Sequence, residues 1–194
     1  PSNGNVSECE RIIEEKLYAG EKPDLGPAVK VGRGMACYMK TPCMPSNAQA
    51  GAFIKMNADG TVTLATGAVD MGQGMHTALS QIAAEALGLP FEKVNFLTAV
   101  DTLVSPYDWQ TVASRSTWGV GNAILLAAED LKQKLREEGA KVFGAKPGEV
   151  VAEGGEVRCG DKTASWSEFA TGLRNPDGTA LTKPVMGSGY FVPD

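Results

Sequence analysis

Phe53-Ile54-Lys55-Met56 and Thr61-Val62-Thr63-Leu64 flank Asn57-Ala58-Asp59-Gly60, and a glycine-rich stretch then leads through Met71-Gly72-Gln73-Gly74 into Met75-His76-Thr77. Asp-Gly between two β-prone runs predicts a hairpin. From Met75 the pattern changes. Met75, Leu79, Ile82 and Ala86 fall at helical spacing, so a helix is expected to about Leu87. Gly88 is a natural stop, and Pro90 bars continuation. A strand that turns through glycines into a helix is the unit from which the rest of the fold is read.

Downstream, Val94 to Leu97 reads as a short strand and Thr98 to Val112 as a long polar loop. Loops of that length inside a compact domain are usually functional. The longest helix is predicted from about Ser116 to Glu138, with Ile124, Ala128, Leu131 and Leu135 as its buried stripe and Gly139 as its stop. Glu149 to Cys159 reads as a second hairpin around Gly154-Gly155. Ser165-Trp166-Ser167-Glu168 is a capping box that opens a short helix to Leu173, and the remainder reads as a Pro- and Gly-rich tail. Upstream, Ser7-Glu8-Cys9-Glu10 is another capping box, ahead of an apolar face (Ile12, Ile13, Leu17) and a stop at Gly20. Lys22 to Pro27 is a connector, Val29 to Met39 a strand, and Thr41 to Gln49 a loop. This order predicts a mixed α/β (α+β) fold, with helices packed on a mixed sheet and β-hairpins.

The chain has 194 residues, 43% of them hydrophobic, enough for one core. Eighteen basic residues against 23 acidic give a net charge of −5, without the basic footprint of a nucleic-acid or membrane-surface binder. The longest clean apolar run, Ala123 to Ala128, is far short of a membrane span. Pro1-Ser2-Asn3-Gly4 carries neither an initiating Met nor a signal-peptide pattern, so the chain reads as cut from something longer. Cys9, Cys37, Cys43 and Cys159 form no C-x-x-C pair, and His76 is the single histidine. The expectation is reduced thiols in a cytoplasmic protein, with no zinc site.

Two constellations could carry chemistry. Gly72-Gln73-Gly74 stands at a strand-to-helix junction, where glycine lets backbone approach a ligand and the free amides of the helix favour an anion. It is neither G-x-G-x-x-G nor a P-loop, and an ordinary glycine turn is its plain alternative. Ala113-Ser114-Arg115-Ser116-Thr117 gathers three hydroxyls and a guanidinium at the start of the longest helix. These can donate to phosphate oxygens, Arg bidentately, although one hydroxyl could simply cap the helix. The two helix starts lie on either side of one short strand and could converge on a single anionic ligand. Asp101-Thr102 and Asp108 read first as turn formers, although loop carboxylates can also orient ligand hydroxyls or amines; His76 reads as a packing or hydrogen-bonding residue beside the glycine loop, and Met71 and Met75, with the other methionines, mostly as core or loop filler.

Met71 to Thr77, Gln81-Ile82-Ala83, Leu87 to Pro90, Asp101-Thr102, Ala113 to Thr117 and Gly121-Asn122-Ala123 together resemble the molybdopterin-binding segment of the xanthine dehydrogenase and aldehyde oxidase family, the molybdenum hydroxylases. Arg33-Gly34-Met35-Ala36 and the hairpin from Ala52 to Thr66 extend the resemblance over Val29 to Leu135. It implies two α/β lobes clasping a molybdenum-pterin cofactor, with the cytosine dinucleotide form usual in bacterial members. The metal would be held by the pterin dithiolene, not by side chains. Partner subunits or domains would carry iron-sulfur clusters and FAD, and a small-molecule substrate, a purine, other N-heterocycle or aldehyde, would be hydroxylated with oxygen from water. Gly72, Gln73 and Gly74 would lie at the pterin and molybdenum end, and Ala113, Ser114, Arg115, Ser116 and Thr117 at pterin or phosphate groups.

By that reading residues 1–28 are a leading helix and connector, 29–139 the cofactor-binding core, and 140–194 a closing hairpin, helix and tail of one fragment. The family's general-base glutamate, in a Gly-x-Gly-Glu motif, has no counterpart: Gly187-Ser188-Gly189 is followed by Tyr190. The competing classes are a stand-alone nucleotide or phosphate-binding module without redox activity and a purely structural domain. The chain purified alone is expected to oxidise no substrate; measurable turnover by it would contradict the assignment of the base to another segment.

Overall fold

The computed structural model describes residues 6–18, 24–32 and 47–193. The chain falls into two compact units, Pro1–Cys43 and Met44–Asp194. In the first, α1 (Val6–Ile13) runs into a π-helical turn, Glu14–Tyr18. Arg11 pairs with Glu8 one turn before it and with Glu15, at 2.7 Å, one turn after it. Because α1 starts at Val6, Ser7 lies inside it and is not the cap that was expected. Charge pairs at i, i+3 and i, i+4 supply the local stabilisation instead. Residues 29–32 are irregular backbone where a strand was expected to begin. The rest of that strand, the Gly20 stop, Arg33 to Ala36, Cys37 and Cys43 lie outside the described residues.

The second unit is built on the hairpin. β1 (Ala50–Met56) pairs antiparallel with β2 (Val62–Thr66), and the Asp59 carboxylate closes the turn by accepting from the Thr61 N–H at 2.9 Å and its hydroxyl at 2.7 Å. α2 spans Met75–Leu87, β3 Val94–Phe96 and α3 Ser116–Phe143. The sheet order is β3-β2-β1 and then a strand near the C-terminus, with β2 and β3 parallel. Parallel neighbours need a crossover, and α2 supplies it, so β2-α2-β3 is a βαβ unit. Strand alternation turns Ala52, Ile54, Met56, Val62 and Leu64 into the core. Leu79, Ala83 and Leu87 of α2 and Val120, Ile124, Leu131 and Leu135 of α3 join them there.

A second sheet follows: β4 (Val151–Glu153), β5 (Glu156–Cys159) and β6 (Lys162–Ser165), all antiparallel. The hairpin around Gly154-Gly155 is as expected, whereas β6 had no reading as a strand. The capping box at Ser165 forms: the Glu168 carboxylate accepts from the Ser165 N–H at 2.7 Å and opens α4 (Trp166–Thr171). Trp166 and Phe169 fill the space beneath.

Two sequence expectations fail for the same physical reason. The predicted tail is in fact β7 (Met186–Phe191), paired with β1 at Ile54↔Gly187 and Ala52↔Gly189. A Cβ on Gly187 would overlap the Ala127 carbonyl oxygen and lie 2.8 Å from Leu131 Cβ; one on Gly189 would overlap the Ala123 carbonyl oxygen. These glycines let the backbone of α3 rest directly on the strand. Asp130 of α3 fastens the contact by accepting from the Ser188 N–H at 2.8 Å. Likewise Gly139 does not stop α3, which continues to Phe143 and ends at Gly144. A Cβ on Gly139 would meet Val157 Cγ1 at 2.5 Å, so this glycine seats the helix on the second sheet.

Gly187→Ala or Gly189→Ala is expected to destabilise the protein by about 3 kcal/mol, the upper range for forced overpacking, as measured by urea unfolding. Gly148→Ala, where an added Cβ meets nothing within 4 Å, should change stability by less than about 0.5 kcal/mol.

Candidate cofactor pocket

The turn from β2 into α2 is organised by two side chains. The Asp70 carboxylate accepts from the Gly72 N–H at 2.7 Å and from the His76 N–H at 3.3 Å. The Gln73 amide spans the same turn, donating to the Val69 carbonyl at 3.0 Å and accepting from the Met71 N–H at 2.6 Å. Gly72 (φ 106°) and Gly74 (φ 76°) adopt left-handed dihedrals, and an added Cβ at either would face open space. Backbone conformation, not crowding, therefore requires glycine there. The Gly72 N–H is the main influence holding the Asp70 carboxyl below its ordinary range; partial desolvation opposes it, and the N–H groups of His76 and Gly74 assist. Donors at the start of α2 are thus engaged by the chain's own carboxylate.

The start of α3 is different. Arg115 occupies the cap position with helical dihedrals, and no side chain caps the helix. The hydroxyls of Ser114, Ser116 and Thr117 are therefore not used for capping. Ahead of them Ala113 (φ 54°) and Ser114 (φ 55°) are both left-handed, the positive-φ non-glycine residues among those described. Such backbone costs on the order of 1–3 kcal/mol per residue and clusters at ligand sites.

The two starts converge. Met71, Gln73 and Met75 form one wall of a cavity of about 460 Å³, and Thr111 to Ser114 with Ser116 and Thr117 form the other. The Thr111 hydroxyl joins the walls by accepting from the Val69 N–H at 3.0 Å. The volume lies within the range of small-molecule and cofactor sites, roughly 300–1,000 Å³. Two methionines, the amide of Gln73, the hydroxyls of Thr111, Ser114, Ser116 and Thr117, and an uncapped helix end suit a flat heteroaromatic ring carrying an anionic group. Among the described residues, no group of three or more His, Cys, Asp or Glu side chains is placed to hold a metal ion.

Not every expected residue faces this cavity. Gln73, Ala113, Ser114, Ser116 and Thr117 line it, and Gly72 and Gly74 shape the turn beside it. The Arg115 side chain turns the other way, into the protein. It reaches Asp108 at 2.6 Å and the carbonyls of Gln110, Ala48 and Gln49 at 2.8, 2.9 and 3.1 Å. Asp108, read as a turn former, is therefore half of a buried ion pair. Asp101 does form a turn, accepting from the Leu103 N–H at 2.9 Å. His76 stacks on Phe96, with ring centroids 4.3 Å apart. Met71, Met75, Thr111 and Val112 were missed as lining residues. The available signal was the spacing of the two methionines, which bracket the glycine turn four residues apart.

Residues 11–193 match the molybdopterin cofactor-binding domain family, and the chain belongs to that family. Relatives within it are molybdenum hydroxylases. The chain is 35% identical over 186 residues to the probable hypoxanthine oxidase XdhD of Escherichia coli (strain K12), covering 91% of this chain and 18% of that protein. It is 39% identical over 127 residues to the xanthine dehydrogenase molybdenum-binding subunit of Escherichia coli O157:H7, covering 64% of this chain and 17% of that subunit. Among solved structures, CO dehydrogenase from Oligotropha carboxidovorans superposes with a TM-score of 0.62 at 26% identity, covering 74% of this chain and 18% of that one. Quinoline 2-oxidoreductase from Pseudomonas putida 86 gives 0.58 at 25%, covering 75% and 19%. The chain thus spans less than a fifth of the length of the relatives it matches. Among the described residues, no helix is long and apolar enough to cross a membrane.

A group whose folded pKa is depressed stabilises structure above its unfolded value and loses that contribution as pH falls through the folded value. Protection of the Gly72 and His76 amides from hydrogen exchange should therefore hold at neutral pH and be lost as pH drops below the ordinary aspartate value of about 3.9. Asp70→Ala, which leaves no acceptor, should remove it at neutral pH; unchanged protection of both amides in that variant would contradict the role given to Asp70.

Proposed function

We propose that this chain forms part of the molybdenum-cofactor-binding subunit of a xanthine dehydrogenase-like hydroxylase, and that the pocket between the starts of α2 and α3 holds the pterin and its phosphate. The observation that carries this is the convergence of Gln73 and the Ser114, Ser116 and Thr117 hydroxyls on one cavity, beside two left-handed residues. When bound, the molybdenum cofactor supplies the two-electron oxidation of a carbon centre with oxygen taken from water. The residues of this chain bind and orient it. Ser114, Ser116 and Thr117, with the uncapped amides of α3, offer donors to an anionic group, and the helix dipole favours negative charge there. The Gln73 amide, held across the turn by Val69 and Met71, keeps one N–H and one oxygen lone pair for a ligand. Met71 and Met75 offer polarisable surface to a ring face.

An N-heterocyclic substrate is favoured over an aldehyde, because hypoxanthine, xanthine and quinoline figure in the names of three of these relatives. The cytosine dinucleotide form of the cofactor, iron-sulfur and FAD partners and a cytoplasmic location complete the reading, all inferred from the family resemblance. The general base would come from another segment of the same subunit.

The test is molybdenum content and acid-released nucleotide of the whole polypeptide carrying this chain, purified with its partners from a cofactor-producing host. Stoichiometric molybdenum with released CMP is expected. Absence of both from a well-folded preparation would reduce Gly72 to Gly74 and Ser114 to Thr117 to ordinary helix starts. Ser116→Ala should lower cofactor retention about tenfold or more, since a hydrogen bond to a charged group is worth roughly 1.5–3 kcal/mol. Its melting temperature should change little by comparison.

A further inference from the structure

We infer that Arg115 is a positioning residue of this pocket: clasped to Asp108 inside the protein, it holds the left-handed turn at Ala113–Ser114, and with it the hydroxyl wall, in place before any ligand arrives. The inference rests on reading the cavity as a ligand site and gives the neighbouring arginine a role other than ligand contact.

The geometry leaves the guanidinium no phosphate to bind. Its side chain is 1% exposed, as is that of Asp108, and it donates to four protein oxygens. Those oxygens belong to two segments distant in sequence, residues 48–49 ahead of β1 and residues 108–110 of the long loop. Arg115 therefore ties the start of α3 both to the sheet and to the loop that forms one pocket wall. Its own N–H donates to the Val112 carbonyl at 3.1 Å, closing the turn that contains Ala113 and Ser114. The surroundings are cut to receive it. A Cβ on Gly119, one helical turn along, would lie 2.8 Å from Arg115 Nη2. The loop is seated on the sheet by the Trp109 N–H, which donates to the Gln49 carbonyl at 3.0 Å, and a Cβ on Gly67 would lie 2.6 Å from the Pro106 carbonyl oxygen.

Two further observations favour positioning over stability as the purpose of the pair. Consecutive left-handed residues persist only where the surroundings over-determine them, and Arg115 is the residue next to them with the most protein partners. The pair is also poorly optimised for stability: Asp108 Oδ2 and Arg115 Nε are buried without a hydrogen-bond partner. Buried ion pairs are often replaceable by apolar side chains of similar volume without loss of stability. What an apolar pair could not replace is the fork that fixes three segments at once.

Two variants in the whole polypeptide test this: Arg115→Lys, which keeps a charge beside Asp108 but loses the fork, and the double variant Asp108→Leu/Arg115→Met, which removes both charges. The readouts are thermal unfolding, hydrogen exchange of amides 111–117, and pterin released from the purified protein. Expected for either variant that folds are faster exchange confined to 111–117 and a loss of retained pterin on the order of tenfold, as when supporting partners of a bound group are removed. Unchanged exchange overturns the inference, and so does faster exchange with undiminished pterin. Unfolding of both variants overturns it as well, because the pair would then be an element of global stability. If the unaltered protein holds no pterin, the exchange result still decides the positioning role, and the functional reading alone falls.

Discussion

The backbone contact between α3 and β7 constrains everything else in the larger unit. At Gly187 and Gly189 there is no room for a side chain, so the helix lies on the strand at a distance set by main-chain atoms. A helix seated in this way has little freedom to slide or roll, and its first turn is fixed relative to the sheet. α2 is fixed independently, because it must cross from β2 to the parallel strand β3. It packs against α3 closely enough that a Cβ on Gly121 would lie 3.2 Å from Ile82 Cδ1. With both helices located, their N-terminal ends face each other at the carboxyl end of β2, the place where open α/β sheets characteristically bind ligands.

The two helix ends are treated in opposite ways, and this gives the pocket its polarity. Asp70 engages amides at the α2 turn, which makes that end a shaped and internally satisfied wall whose outward feature is Gln73. No side chain caps α3, and three hydroxyls surround its first turn. Negative charge is therefore better accommodated at α3 than at α2. Arg115, the one cation in the motif, meets Asp108 inside the protein, so the anion-favouring character of the α3 wall comes from hydroxyls, amides and the helix dipole.

Much of this was legible in the sequence where local chemistry and tertiary structure agree. Asp59-Gly60 specified the first hairpin, the apolar spacing with the stop at Gly88 specified α2, and Ser165 and Glu168 specified the start of α4. The order strand, helix, strand, helix allowed the two helix starts to converge, and the packing of both helices on one sheet brings them together. The misreadings arise where a residue serves a distant contact. Gly187, Gly189 and Gly139 looked like loop and stop signals, but each is small because another element lies against it. Arg115 looked like a phosphate ligand because a sequence window cannot reveal Asp108 or the carbonyls of Ala48 and Gln49 behind it. Ser7 had a capping-box spacing in a helix that had already begun at Val6.

The most direct test of the central claim is where a pterin sits in a crystal structure of the cofactor-loaded subunit that carries this chain. The account predicts the ring system between Gln73 and residues 111–114, with its phosphate against the first turn of α3 at Ser116 and Thr117, and Arg115 still paired with Asp108. A pterin bound elsewhere on this domain, with the cavity between α2 and α3 filled only by solvent, would contradict it.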